Sequence, residues 1–265
     1  MSKVELNNVS LEFRDAGKSF VALEKVNLKI EEGEFVCIIG PSGCGKSTLI
    51  SLLAGLNFPT EGEVRIDGAA VRGTGTDRGM VFQHYSLFPW LTAKKNVYFG
   101  IKQANLFQNK KQIEERALEY LKRVNLEEYV DKYPYQLSGG MQQRVAIART
   151  LAMDTEILLL DEPFGAIDPK NRLALQALTV KLCKNGDNRK AVVFVTHDID
   201  EAIILADRIV FMEPKRIKEE ISIGFPVDLT REEIMVSPKY MEIRNRLMSL
   251  FLQDVGNRIG EEVVL

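Results

Sequence analysis

Gly40-Pro41-Ser42-Gly43-Cys44-Gly45-Lys46-Ser47 follows the apolar run Phe35-Val36-Cys37-Ile38-Ile39 and leads into Thr48-Leu49-Ile50-Ser51-Leu52-Leu53. A strand, a glycine-rich loop and a helix start form the context in which Gly-x-x-x-x-Gly-Lys-Ser binds phosphate. Glycines let the loop wrap a phosphate chain closely, so that backbone N–H groups and the positive end of the helix dipole face the anion. Lys46 is then placed to reach the outer phosphates and Ser47 to ligate Mg²⁺, with Thr48 opening the helix beside them. Alone, this loop supports ATP or GTP binding and nothing narrower.

Composition narrows the classes. A chain of 265 residues with 45% apolar and 27% charged residues can bury a sizeable core. Lys and Arg number 35 against 37 Asp and Glu, a net charge of -2, so no global basic field favours nucleic acid or an anionic membrane surface. Cys37, Cys44 and Cys183 have no C-x-x-C spacing, and with two histidines there is no structural zinc pattern. Reduced thiols in a cytoplasmic setting are expected. No segment approaches the roughly 20 consecutive apolar residues of a membrane span, and Met1-Ser2-Lys3-Val4-Glu5 does not open a secretory signal. Work at a membrane would be done from its side.

Along the chain, residues 4–13 and 20–30 read as antiparallel strands joined by the turn Arg14-Asp15-Ala16-Gly17-Lys18. Residues 35–39 read as a strand buried on both faces, and the helix after Lys46 should close at Gly55. A short strand at 63–66, a turn at Asp67-Gly68 and a strand at 79–82 follow. From about 87 to 150 the pattern turns helical, with Thr92 as an N-cap and Ile113, Ala117, Leu121 and Val124 on one stripe. Strands return at 157–160, 191–195 and 207–212, the first two separated by a helix over 171–183. Ser237-Pro238 should start a terminal helix burying Tyr240, Ile243, Leu247, Leu250 and Phe251. The chain thus reads as an α/β core interrupted by a helical insertion.

Two further motifs carry chemistry. Ile157-Leu158-Leu159-Leu160-Asp161-Glu162 brings two acids to the carboxyl end of a buried strand, the edge where open α/β sheets bind ligands. Asp161 suits Mg²⁺ opposite Ser47, and Glu162 suits removal of a proton from water. Leu137-Ser138-Gly139-Gly140-Met141-Gln142 precedes a helical run, so its N–H groups and the Ser138 hydroxyl form a second anion site.

These motifs, with Gln83 after a strand, Pro163 after the paired acids and Thr196-His197-Asp198 further on, occur in the order of the ATP-binding-cassette ATPases, which the chain resembles over about 4–215. The resemblance implies a P-loop NTPase (RecA-like) core with an antiparallel β subdomain and an inserted α-helical subdomain. It puts the core at 1–86 and 153–230, the helical subdomain at 87–152 and a short helical tail at 231–265. It implies ATP hydrolysis with Mg²⁺ by a head-to-tail dimer in which residues 40–48 of one copy and Ser138, Gly139, Gly140 and Gln142 of the other sandwich ATP. Gln83 would contact Mg²⁺, His197 the γ-phosphate, and Asp168 would act in the loop joining the two sites. Phe13 or Phe20 would stack on adenine, an ordinary strand phenylalanine being the alternative. Gly165-Ala166-Ile167-Asp168 departs from the family's commoner Ser-Ala-Leu-Asp, which removes one hydroxyl near the dimer.

A narrower resemblance lies in the run from Asp77-Arg78-Gly79-Met80-Val81-Phe82-Gln83-His84-Tyr85-Ser86 through Leu87-Phe88-Pro89-Trp90-Leu91-Thr92 to Asn96-Val97, which looks like the ATPase subunits of nitrate, sulfonate, taurine and bicarbonate importers. It implies two integral-membrane permease subunits docked near 83–92, an indirect link to a substrate-binding protein, no nucleic-acid partner, and a peripheral place on the cytoplasmic face of the membrane. Exposed Trp90 would be an anchor; a buried Trp90 packing two lobes together is the alternative. Competing functions are an exporter or lipid-extraction ATPase of the same fold and a soluble cassette ATPase acting on nucleic acid or the ribosome.

Overall fold

A computed structural model describes residues 2–15, 18–83, 86–107, 109–165, 167–184, 190–226 and 229–262. Ala16 and Gly17 at the expected turn, His84 and Tyr85 of the expected docking surface, and Ala166 lie outside the described residues. The chain forms two compact units, Met1–Gly73 with Val193–Leu265, and Thr74–Val192.

The first unit opens with β1 (Ser2–Asp15) and β2 (Lys18–Glu31), paired antiparallel. Val26, Leu28 and Ile30 are buried while Asn27 and Lys29 are exposed, the alternation of a sheet with one wet face. Next, β3 (Phe35–Ile39) is buried at all five positions and runs straight into the phosphate-loop motif and α1 (Lys46–Leu53). Gly55, at φ 72°, closes α1: its N–H donates to Leu52 O at 3.0 Å and that of Leu56 to Ser51 O at 3.0 Å. β4 (Glu61–Ile66) and β5 (Ala69–Ala70) complete an antiparallel sheet of order β2-β1-β4-β5.

The second unit contains β6 (Arg78–Val81), then α2 (Ala93–Gln103), α3 (Lys110–Arg123) and α4 (Gly139–Ala152). Thr92 Oγ1 accepts from Lys95 N and caps α2 as expected. Ile113, Ala117, Leu121 and Val124 are all buried, so the predicted stripe is the face that α3 turns to its neighbours. β7 (Ile157–Asp161) is wholly buried and lies parallel to β6, with Met80 opposite Leu159. α5 (Pro169–Lys184) follows, and β8 (Ala191–Val195) carries the chain out of this unit.

Back in the first unit come α6 (Ile199–Leu205), β9 (Arg208–Glu213), β10 (Arg216–Ser222), α7 (Arg231–Met235) and α8 (Pro238–Glu262). β9 runs parallel to β3 with Val210 opposite Ile38, and β10 hangs antiparallel on its other edge. Arg208 ties these elements together: its Nε reaches Glu34 Oε1 at 2.7 Å and it also pairs with Glu220. The predicted face of α8 is buried through Tyr240, Ile243, Leu247 and Leu250, and Phe251 meets Phe211 edge-on at 5.0 Å. β10 and α7 have no counterpart among the expected elements, because β10 alternates charged residues with isoleucines and α7 is very short. No helix among the described residues is long and apolar enough to cross a membrane.

The path from β3 to α1 depends on backbone at close quarters. At Gly45, φ is 115°, and a Cβ would lie 2.8 Å from Leu23 Cδ2 and 2.9 Å from Ala22 O. Gly45→Ala therefore meets both a left-handed backbone and a backbone oxygen, and should lower unfolding stability by about 1–3 kcal/mol in urea titration. An unchanged midpoint would show that the loop relaxes freely.

Candidate functional site

In the first unit the glycine-rich loop closes on its own lysine. Lys46 is 8% exposed, and its Nζ donates to Gly40 O at 2.8 Å and Pro41 O at 2.9 Å. An ammonium held by two loop carbonyls marks where an anion's oxygens would compete for it. Gly40 must be glycine for a related reason: a Cβ there would stand 2.3 Å from Met212 O of β9. Ser42, Gly43 and Ser47 are exposed, Pro41, Gly45 and Thr48 partly so, and Cys44 is buried beneath them. Phe13 and Phe20 face each other across β1 and β2, so both rings lie on one side of that sheet, 40% and 59% exposed. Register thus leaves both as candidates for stacking on a base.

His197 is exposed just past β8. Thr196 N–H donates to Ile38 O at 3.2 Å, which holds this turn beside the strand that ends one residue before Gly40. Thr196 Oγ1 donates to Glu201 and accepts from Asp198 N at 3.1 Å, while Asp198 Oδ1 accepts from Glu201 N at 3.0 Å. His197 therefore sits in a turn whose two flanking residues are both pinned to the first turn of α6.

In the second unit, the parallel pairing of β6 and β7 delivers Gln83 and the two acids to the same sheet edge. Asp161 is the buried last residue of β7, and Gln83 Nε2 donates to Glu162 Oε2 at 3.1 Å. That bond joins residues 79 apart in sequence, and no local pattern announces it. Glu162 holds φ at 45° immediately before Pro163, an uncommon backbone for a non-glycine residue. Ser138 caps α4 by accepting from Met141 N at 3.3 Å, leaving Gly139 and Gly140 in its first turn, where N–H groups have no intrahelical acceptor. Gln142 Nε2 donates to Leu137 O at 3.1 Å. Asp168 accepts from Asn171 Nδ2 at 2.7 Å and Asn171 N at 3.1 Å, starting α5. These donors hold the exposed Asp168 carboxyl below its usual range.

A cluster of aromatic side chains joins the loop before α2 to α2 itself. Phe88 meets Phe99 at 4.7 Å and Trp90 at 5.6 Å, and Trp90 is 69% exposed, which removes the buried alternative. Asn96, buried in α2 and missed by sequence reasoning, shapes this loop: its Oδ1 accepts from Phe88 N at 2.9 Å and its Nδ2 donates to Leu91 O at 3.0 Å. Arg149 lies 5.9 Å from the Phe88 ring and donates to Ser86 O, and burial lowers its pKa. Ser47 in the first unit offers a hydroxyl, and Asp161 and Gln83 in the second offer a carboxylate and an amide oxygen, each the hard oxygen donor that Mg²⁺ takes. The loop and His197 belong to the first unit; Gln83, Ser138, Asp161, Glu162 and Asp168 belong to the second.

The family model for ABC transporters matches residues 23–165. An uncharacterized ABC transporter ATP-binding protein of Methanocaldococcus jannaschii is 46% identical over 96% of this chain and 92% of its own length. The bicarbonate transport ATP-binding protein CmpD of Synechococcus elongatus is 44% identical over 91% of this chain and 87% of its own. The nitrate import ATP-binding protein NrtD of a Synechocystis strain is 44% identical over 85% and 84%. A solved dimeric ATP-binding cassette in a post-hydrolysis state, bound to ADP and phosphate, is similar with a TM-score of 0.76 and 40% identity, covering 84% of this chain and all of that one.

Asp168 supplies a pH test. Its depressed carboxyl contributes stability that is complete above the ordinary carboxylate range and is lost as pH falls through the depressed value. Asn171→Ala removes the side-chain donor, so the Asp168 carboxyl should titrate higher by carboxyl NMR. An unmoved titration would show that Asn171 does not set it.

Proposed function

The chain belongs to the ABC transporter family and is an ATP-hydrolysing cassette, and on that premise we propose that it powers an importer for a small anion or related nutrient. Two copies pair head to tail, bind two ATP, and drive two membrane permease subunits from the cytoplasmic face, with a separate binding protein delivering the solute. The observation that carries the importer reading is exposed Trp90, tilted against half-buried Phe88 and near exposed Phe99, in a loop held in shape by buried Asn96. An exposed tryptophan in a preshaped loop is a good anchor for a partner helix. Similarity to bicarbonate and nitrate cassettes over most of the chain supports the same reading.

In the proposed mechanism Lys46 exchanges its bonds to Gly40 O and Pro41 O for the β- and γ-phosphate oxygens, and the loop N–H groups from 40–48 close around the chain. Phe13 or Phe20 stacks on adenine. Mg²⁺, held by Ser47, Asp161 and Gln83, would neutralise phosphate charge. Glu162, oriented by Gln83, accepts a proton from the attacking water. His197 donates an imidazole N–H to a γ-phosphate oxygen. Ser138, Gly139, Gly140 and Gln142 of the second copy cover that phosphate from the far side, and Asp168 links one site to the other. The core is assigned to 1–86 and 153–230, the helical subdomain to 87–152 and the tail to 231–265.

Glu162→Gln keeps ATP binding while cutting turnover by about 10²–10⁴-fold, the worth of a positioned base, and accumulates an ATP-bound dimer in gel filtration. Turnover at the parental rate removes Glu162 from the reaction. Because the site needs a second copy, ATPase rate should rise more than linearly with protein concentration; strict proportionality where the protein sediments as a monomer contradicts the paired site. Affinity capture should retrieve membrane permease subunits, and Trp90→Ala should lose them without losing ATP binding. A nucleic-acid or ribosomal partner overturns the importer.

A further inference from the structure

α8 lies beyond the residues that the family model matches, yet it contacts α6, the helix that follows the His197 turn. α6 has only seven residues, too few to be stable on its own, so its position must come from what packs on it. It buries Glu201, Ala202, Ile203 and Leu205, and both β3 and α8 pack against it. The polar link is specific: Tyr240 Oη donates to Asp200 Oδ1 at 2.7 Å, and Arg244 Nε donates to the same oxygen at 2.9 Å. Tyr240 is 4% exposed, whereas Arg244 lies at the rim. Asp200 is in the first turn of α6, next to the bonds by which Glu201 holds both Thr196 and Asp198 around His197.

We propose that Tyr240 and Arg244 of the C-terminal helix are positioning residues for His197, acting through Asp200 and the first turn of α6. The chain of contacts is continuous: Tyr240 and Arg244 to Asp200, Asp200 along one turn to Glu201, and Glu201 to the two residues flanking His197. The proposal rests on the reading of His197 as the γ-phosphate contact. A helix that positions the His197 turn must alter the rate of the chemical step while leaving the ground-state hold on ATP to the loop at 40–48.

The test uses the full chain, with ATP as probe, at concentrations where the rate per subunit has levelled. Tyr240→Phe removes one hydroxyl and keeps the packing. Its kcat should fall about three- to tenfold, the net worth of one ordinary hydrogen bond, with KM for ATP within about twofold and the melting temperature within a few degrees of the parent. Arg244→Ala should do the same and Arg244→Lys should recover most of the loss. In single-turnover assays, adding Tyr240→Phe to His197→Ala should cost nothing further, since both act on one contact. Parental kcat in a Tyr240→Phe that melts with the parent overturns the proposal, as does a loss that adds in full to His197→Ala or a loss in Arg244→Ala that follows a fall in its own melting temperature. Should Tyr240→Phe melt early, the rim substitution Arg244→Ala carries the test. His197→Ala with the parental rate defeats the reading of His197 and this proposal with it; a slow His197→Ala beside a normal Tyr240→Phe defeats the proposal alone.

Discussion

A nearly buried ammonium must have oxygen partners, and in this chain Lys46 finds them in the carbonyls of Gly40 and Pro41. That requirement curls the loop, and the curl is possible because Gly40 passes within contact of Met212 O and Gly45 turns left-handed against Ala22 and Leu23. Strand β3 delivers the loop, β9 bounds it on one side and β2 on the other. Affinity for a polyphosphate is therefore a difference between two sets of oxygens around one cation. The protein ones are already in place, so a ligand gains by offering more negative charge, which a triphosphate does.

Much of the fold is legible in the sequence because its signals are local. The continuous apolar runs at 35–39, 157–160 and 191–195 become strands buried at every position, since only a sheet covered on both faces accepts such runs. The stripe of α3 and the Ser237-Pro238 start of α8 are equally direct: Tyr240 N–H donates to Ser237 Oγ at 3.2 Å. β10 is hidden by its charge, its exposed Arg216, Lys218 and Glu220 outweighing Ile217 and Ile221 in any local average. α7 had a usable signal, the capping box in which Thr230 Oγ1 accepts from Glu233 N and Glu233 answers to Thr230 N.

The site divides the same way. Motif residues announce themselves through chemistry and spacing, but their mutual bonds do not. Nothing near Gln83 points to Glu162, because the parallel pairing of β6 and β7 makes them neighbours. Asn96 was equally silent, a polar residue inside a helix whose use appears only when the 88–92 loop folds back over it. Tyr240 read simply as core: its burial was legible, its hydroxyl's bond to Asp200 was not.

Glu162 shows what such an arrangement costs and secures. A left-handed φ of 45° just before a proline is disfavoured by about 1–3 kcal/mol, and the fold holds it there. The direction of the carboxylate is thus inherited from the main chain at the end of β7 more than from its own rotamer. A redesign that kept the acid but relaxed the turn, by replacing Pro163 or lengthening the segment before α5, would preserve every functional group and still swing the carboxylate away from Gln83. Conservation of side-chain chemistry in this family of sites is therefore an incomplete guide to conserved activity; backbone geometry at one residue has to be conserved with it.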